Sequence, residues 1–339
     1  MRWKRVKNLR VLLQNRKSAL TSVAGDSIQF IKTKEYLNKM GITAEVSYGN
    51  DGDLSFYDII HLFNLIPIED THGQFLQARA AAKKIVLSTV FWDPLEYLQN
   101  CDEHHFKNWW FETMPLRNTV LAGVDLILPN SRMELEMLDR TFSKLPPAVI
   151  VPNATDTLFA TASPERFIHR YQIKDFILSV GRISPRKNQL SLIRATKQLK
   201  LPLVLIGPIN DGLYYQACRK EAVGAKVIFM DTFSQTELAS AYAAAKIHAL
   251  VSWYDTPGLV SLEAALAGCK IVTTDRGTAR EYFGDLATYC DPGNLPSIVK
   301  AIEKSWQTPN LPDLKEKVLL NYTWEKAAQK TLEAYRMVV

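Results

Sequence analysis

With 339 residues the chain has room for two ordinary domains, and a hydrophobic share of 47% suits packed globular interiors rather than disorder. No apolar run reaches the roughly 18 residues of a membrane-spanning helix, and the opening MRWKRVKNLRVLLQ is too short and interrupted for a secretory signal, so the chain reads as cytosolic. Four scattered cysteines (Cys101, Cys218, Cys269, Cys290) form no close pair of the kind that binds zinc or cycles redox chemistry; the net charge of +6 is modest, and neither an aromatic RNA-binding signature nor a helix-turn-helix accompanies it.

In chain order, the basic start (Arg2, Lys4, Arg5, Lys7, Arg10) is a solubilising lead into the first strand, or a patch that attracts anionic lipid or nucleic acid. Leu9 to Leu13 reads as a strand, Ser27 to Asn38 as an amphipathic helix, and Ala44 to Ser47 and Asp58 to Phe63 as strands. Gln74 to Lys83 reads as a helix and Lys84 to Thr89 as a strand; Leu95 to Ala122 is a long aromatic-rich helical region. Asp125 to Pro129 is a strand, Ser131 to Thr141 a helix, and Ala148 to Val151 a last strand. Thr155 to Tyr171 lacks periodicity and reads as a linker.

A second alternation follows, with strands at Phe176 to Val180, Leu203 to Ile206, Lys226 to Phe229, Ile247 to Ser252 and Lys270 to Thr274. Between and after them lie helices at Gln189 to Gln198, Tyr214 to Ala222, Gln235 to Ala244, Leu259 to Leu266, Ser297 to Trp306 and Thr323 to Tyr335. Strand–helix alternation of this kind predicts α/β architecture: two doubly wound Rossmann-like domains facing across a cleft, with ligands entering at the carboxyl edges of the sheets.

The stretch from Ile247 to Asp291 organises the rest. Pro257-Gly258 opens the helix Leu259 to Leu266 and Gly268 closes it. The amino end of that helix has free backbone N–H groups, and Gly258 carries no side chain to keep an anion away from them. Asp255 precedes it, and Glu263 stands about 7 Å along its axis. An acid among Leu259, Val260, Leu262 and Leu266 needs a hydrogen-bond partner, either a ligand hydroxyl or a neighbouring group. FILSVGRISPRKN, from Phe176 to Asn188, projects Arg182 and Lys187 from the same sheet edge just after Gly181. Two cations beside a helix amino terminus would hold a diphosphate and meet the charge on a leaving phosphate; alone, they would read as solvated surface charges. Adjacent His104 and His105 point different ways on a helix and make no shared metal site, Trp109 and Trp110 suit core packing more than stacking on a sugar, and His61 reads as structural.

VGRISPRKN, the carboxylate loop, PGLVSLEAALAG and the TD-x-G-x-x-x-E turn together resemble the retaining glycosyltransferases of family 4, which have the GT-B fold. The resemblance runs from Leu9 to about Tyr335, with weaker matches at Gly25-Asp26, DIIHLFN (58 to 64) and PNS (129 to 131). It implies an acceptor-side domain over residues 1–160, joined by the last helix (about 323–339) crossing back, and a donor domain over 161–322. By the same resemblance Arg182 and Lys187 fall on the diphosphate-binding pair, Glu263 on the glutamate that contacts the ribose, and Asp255 on the one that faces the donor sugar. Leu259 and Val260 would meet the phosphates by their backbone, and Gly25-Asp26 would close over the donor. Aspartate at 255 is one methylene shorter than the family glutamate, so either its loop compensates or its role is altered. Phe91-Trp92-Asp93 stands where many members have a histidine, which gives Trp92 and Asp93 a place beside sugar or acceptor.

The resemblance therefore implies metal-independent, cofactor-free transfer from a nucleoside-diphosphate sugar to a glycan or glycolipid hydroxyl, in cell-surface polysaccharide assembly and without nucleic acid. The basic start and the aromatics are compatible with peripheral contact at the inner membrane surface. The competing expectations are a non-catalytic sugar-nucleotide or glycan-binding protein and another enzyme on the same scaffold, a sugar-nucleotide epimerase or a phosphorylase, the last disfavoured by the lack of a recognisable pyridoxal phosphate lysine motif.

Overall fold

The computed structural model describes residues 9–20, 25–49, 52–101, 103–309 and 312–339. Of the basic start, Arg2, Lys4, Arg5 and Lys7 lie outside the described residues. The chain divides into two compact units: Met1–Leu98 with Asp102–Ala154 and Trp324–Val339, and Thr155–Thr323 with Gln99–Cys101. The division falls at Ala154 rather than after residue 160.

In the first unit, β1 (Arg10–Asn15), β2 (Thr43–Tyr48), β3 (Ile59–Phe63), β4 (Lys84–Ser88) and the two-residue β5 (Leu126–Ile127) form one parallel sheet in the order β2-β1-β3-β4-β5. Central strands of such a sheet are covered on both faces, which explains why β3 is buried at every position and β1 from Val11 onward. Helices α1 (Gly25–Lys39), α2 (Ile68–Ala80), α3 (Leu95–Asn100), α4 (His104–Glu112), α5 (Met114–Gly123) and α6 (Arg132–Thr141) accompany it. The long helical region expected from 95 to 122 is thus three helices. Thr113 separates α4 from α5, and Pro115 sits in the first turn of α5, where its missing N–H is not needed. Ala148 to Val151 runs beside Ile127 through one isolated bridge and does not make a strand.

The second unit carries β6 (Ile177–Val180), β7 (Leu203–Ile206), β8 (Val227–Met230), β9 (Ile247–Leu250), β10 (Lys270–Thr274) and β11 (Thr288–Cys290). These six form a parallel sheet ordered β11-β10-β9-β6-β7-β8. Its helices are α7 (Glu165–Tyr171), α8 (Gln189–Gln198), α9 (Gly212–Glu221), α10 (Gln235–Ala244), α11 (Leu259–Leu266), α12 (Ala279–Phe283), α13 (Leu295–Gln307) and α14 (Asp313–Asn321). Local chemistry starts several of them. Ser234 and Glu237 make a reciprocal capping box at α10, and the Asp211 and Asn294 side chains accept from the first turns of α9 and α13.

The segment read as a linker is built into this unit. Asp156 caps a short 3-10 turn, and in α7 Phe167 stacks on Phe176 at 5.2 Å.

The last helix, α15 (Trp324–Tyr335), belongs to the first unit, where Ala334 and Tyr335 are buried with Leu9, Val11 and Phe30. Its Tyr335 hydroxyl lies 2.7 Å from His61 Nδ1, while His61 Nε2 is 2.9 Å from Ser88 Oγ. Burial pushes His61 down to about 3, so the imidazole is a neutral strut from sheet to helix.

Candidate functional site: a cation-rich switch point

In the second sheet the chain reverses its winding between β6 and β9, which pair directly. Loops leaving the carboxyl ends of two such strands diverge and leave a crevice. These are the two loops singled out by their charges.

The first leaves β6 through Gly181 at φ +148°, a conformation that needs glycine. A Cβ there would lie 3.8 Å from Lys187 Cε, so the lysine side chain folds back over the bare backbone. Ile183 is buried, Pro185–Lys187 makes a 3-10 turn, and Asn188 closes it at φ +57°. The Asn188 amide donates to Val251 O at 3.2 Å and Pro292 O at 2.9 Å, tying this loop to the ends of its neighbours.

The second loop is gripped from both sides. Trp253 N donates to Arg186 O at 2.9 Å, and Arg186 Nη1 donates to Tyr254 O at 2.7 Å. Opposite, Thr278 N donates to Asp255 O at 3.2 Å, and a Cβ on Gly277 (φ +82°) would fall 2.2 Å from that oxygen. Asp255 is thereby fixed with its carboxylate on Lys187, whose Nζ lies 2.8 Å from Oδ1 and 3.0 Å from Oδ2. Arg186 Nη1 stands 3.9 Å from Oδ1. Burial favours the neutral acid, but Lys187 and then Arg186 outweigh it and hold Asp255 below the usual carboxylate range. Burial pushes Lys187 down to about 8; Asp255 works against that shift, while Arg186 and Arg182 add to it.

Gly258 follows at φ +85°, where a Cβ would meet Leu250 Cδ2 at 2.6 Å. It opens α11 without a side-chain cap, so the first N–H groups of Leu259 and Val260 have no intrahelical acceptor. Glu263, one turn on, is buried, and its Oε2 accepts the Tyr242 hydroxyl at 2.9 Å. Burial pushes Glu263 up to about 7; the Tyr242 bond lowers it and Asp156 raises it.

The structure thus gathers Gly181, Arg182, Lys187, Asp255, Gly258, Leu259 and Val260 at one sheet edge, and pairs Glu263 with a tyrosine rather than a cation. Sequence reasoning gave no role to Arg186, Asn188 and Gly277, which it quoted only within motifs, or to Tyr242. Arg186 was visible inside SPRKN beside Lys187; Tyr242 carried no signal, since a tyrosine in an alanine-rich helix reads as core.

The first unit has its own polar hub at its switch point between β1 and β3. Asp26 accepts Arg16 Nε at 3.0 Å, Arg16 Nη2 at 3.1 Å and Asn64 Nδ2 at 3.0 Å, just after Gly25 begins α1. Asp93 Oδ1 accepts from Leu95 N at 2.9 Å, and Trp92 is buried against Tyr97 and Phe106. Trp110 is core, and the Arg117 guanidinium lies over the Trp110 and Trp109 rings at 4.1 and 5.0 Å. Among the described residues, no group of three or more His, Cys, Asp or Glu is arranged to hold a metal ion.

Residues 163–317, all of them in the second unit, match the family model described as glycosyl transferases group 1. The O-antigen chain mannosyltransferase B of Escherichia coli is 24% identical over 185 residues, covering 50% of this chain and 49% of that protein. The N-acetylgalactosamine-N,N'-diacetylbacillosaminyl-diphospho-undecaprenol 4-alpha-N-acetylgalactosaminyltransferase of Campylobacter jejuni is 34% identical over 171 residues, 48% of this chain and 44% of that protein. The chain thus spans about half the length of these curated relatives.

Among solved structures, sucrose-phosphate synthase from Thermosynechococcus elongatus superposes with a TM-score of 0.82 at 16% identity, covering 97% of this chain and 98% of that one. Anabaena HepE in complex with UDP and glucose gives 0.74 at 17% identity, covering 97% and 100%. The fold is the GT-B fold of these glycosyltransferases, with two parallel-sheet Rossmann-like domains.

Proposed function

We propose that this chain is a retaining glycosyltransferase that moves a sugar from a nucleoside-diphosphate sugar to a hydroxyl of a glycan or glycolipid. The observation that carries the reading is the convergence of Arg182, Arg186 and Lys187 with Asp255 at the bare amino end of α11, on the switch point of the unit that matches the glycosyltransferase family. Helix N–H groups and converging cations suit a diphosphate.

In the proposed reaction the bond between the anomeric carbon and the diphosphate oxygen lengthens first, leaving oxocarbenium character on the sugar. Arg182 and Lys187 take up the charge growing on the departing phosphate. The acceptor hydroxyl attacks the same face of the sugar and passes its proton to that phosphate oxygen, so no enzyme nucleophile and no metal is called on. Glu263, steadied by Tyr242, would hold the ribose, and Gly25-Asp26 with Trp92-Asp93 would belong to the acceptor-side unit. Curated relatives named for O-antigen and diphospho-undecaprenol-linked glycans support a role in cell-surface polysaccharide assembly; peripheral work at the cytoplasmic membrane face is part of the same proposal. Among the described residues no helix is long and apolar enough to cross a membrane.

The test is thermal denaturation of the chain and of Arg182→Ala against UDP, GDP and ADP, with UDP first because HepE was captured with it. A nucleotide at a hundred times its Kd should stabilise the unaltered chain by about 2.7 kcal/mol and the variant far less. Proton NMR of the product from the matching sugar nucleotide then reads the anomeric configuration. Absence of any stabilisation would leave a degenerate binding protein, and an inverted product would refute retention.

A further inference from the structure

A carboxylate that holds both its oxygens against the one lysine meant for a diphosphate raises a question of charge. Lys187 Nζ sits 2.8 and 3.0 Å from the two Asp255 oxygens, and both side chains are about nine-tenths buried. An ammonium already neutralised at such range offers little to an incoming phosphate. Arg186 is placed differently. Its Nη1 is anchored 2.7 Å from Tyr254 O, one residue before the acid, yet it lies 3.9 Å from Asp255 Oδ1, inside ion-pair range and outside hydrogen-bond range.

Building on the donor-site reading, we propose that Asp255 is a resident counter-ion that the donor diphosphate displaces from Lys187, and that Arg186 is the positioning residue that receives Asp255 when Lys187 leaves it. Three observations support the exchange. Gly277 and Thr278 clamp the Asp255 backbone, so the carboxylate can turn but its loop cannot retreat. The aspartate, one methylene shorter than glutamate, stays at the Lys187–Arg186 level instead of reaching outward. The Arg186 backbone accepts from Trp253 N and its guanidinium donates to Tyr254 O, so the guanidinium is held in place beside the loop while the carboxylate turns. Turning the carboxylate by about an ångström exchanges one charged partner for another, and no buried charge is left unpaired. The cluster then presents Lys187 and Arg182 to the doubly negative diphosphate, with Asp255 balanced by Arg186.

The experiment is calorimetric titration of the full chain with the nucleoside diphosphate that stabilises it, in the unaltered protein, D255N, R186M and the double variant. D255N should bind the nucleotide about 5-fold or more tightly, because Lys187 no longer has to be released. R186M should weaken binding about 10-fold in the parent but less than about 2-fold in D255N, because without the acid nothing needs receiving. Weaker or unchanged binding by D255N overturns the exchange, and an equal loss from R186M in both backgrounds makes Arg186 a direct phosphate ligand instead. If D255N does not fold, a crystal structure of the unaltered chain with the nucleotide decides. Lys187 should lie beyond 4 Å from Asp255 and Arg186 within hydrogen-bond distance; a Lys187 still on both oxygens, reaching the phosphate with its third N–H, refutes the proposal. If no nucleoside diphosphate binds the unaltered chain, the donor-site reading falls and the exchange falls with it; binding that D255N leaves unchanged removes the exchange alone.

Discussion

The Tyr242 hydroxyl donates to Glu263 Oε2 at 2.9 Å with both side chains buried, which ties the acid on α11 to the neighbouring helix α10. The bond favours the ionised form of an acid that burial has pushed up to about 7. In the unfolded chain the same acid ionises near 4.5. Between those values the unfolded state sheds its proton first, so stability is highest below about pH 4.5 and falls as pH rises through 7. The full difference is about 3 kcal/mol. Glu263→Gln should flatten this component of a plot of Tm against pH, and Tyr242→Phe should carry the decline above pH 7. Parallel curves for the three proteins would show that Glu263 titrates normally.

Gly277 tests whether the Asp255 loop must be held where it is. At φ +82°, with its missing Cβ aimed 2.2 Å from Asp255 O, Gly277→Ala forces the loop outward. Stability should drop by about 1–3 kcal/mol, whereas turnover of the sugar nucleotide should fall about 100-fold through misplaced Asp255 and Lys187. A urea midpoint and an initial-rate assay on the same preparation separate the two, and full activity at lowered stability would count against a role for this loop.

Asp26 carries the corresponding load in the first unit. Arg16 grips it with two nitrogens and Asn64 with a third, and the Arg16 side chain is nearly buried. Asp26→Ala leaves that guanidinium without its acid and should cost about 3–5 kcal/mol. Asp26→Asn keeps the shape, loses the charge and should cost less. Urea unfolding of the two variants checks the order; equal midpoints would mean that charge plays no part.

Several elements were legible because local rules and tertiary packing agree on them. The helices Gln189–Gln198, Gln235–Ala244 and Leu259–Leu266 and the strand Lys270–Thr274 match their sequence patterns residue for residue. Each combines its apolar spacing with a flanking cap, turn or glycine. Disagreement came where one signal was missing. Glu165–Tyr171 and Asp313–Asn321 are helices too short for their periodicity to stand out, and Thr288–Cys290 becomes a strand only because β10 lies beside it. Ala148 to Val151 has strand composition but is held to Ile127 by a single bridge.

The candidate site divides in the same way. Sequence alone determined that Arg182, Lys187, Asp255 and Glu263 leave or follow strands at a carboxyl edge, because strand–helix alternation fixes which loops share that edge. It also determined that Gly258 must leave the helix end bare. Only the tertiary structure decided the partners. Lys187 and Asp255 are 68 positions apart, and Tyr242 and Glu263 are 21 apart on different helices. Such pairings follow from the strand order β9-β6 and from how α10 and α11 lie on the sheet, and periodicity along the chain carries no record of either. The physical reason is range: helix caps, turns and amphipathic faces are set within about one turn of chain, whereas a buried charge takes whichever partner the completed fold brings within a few ångströms.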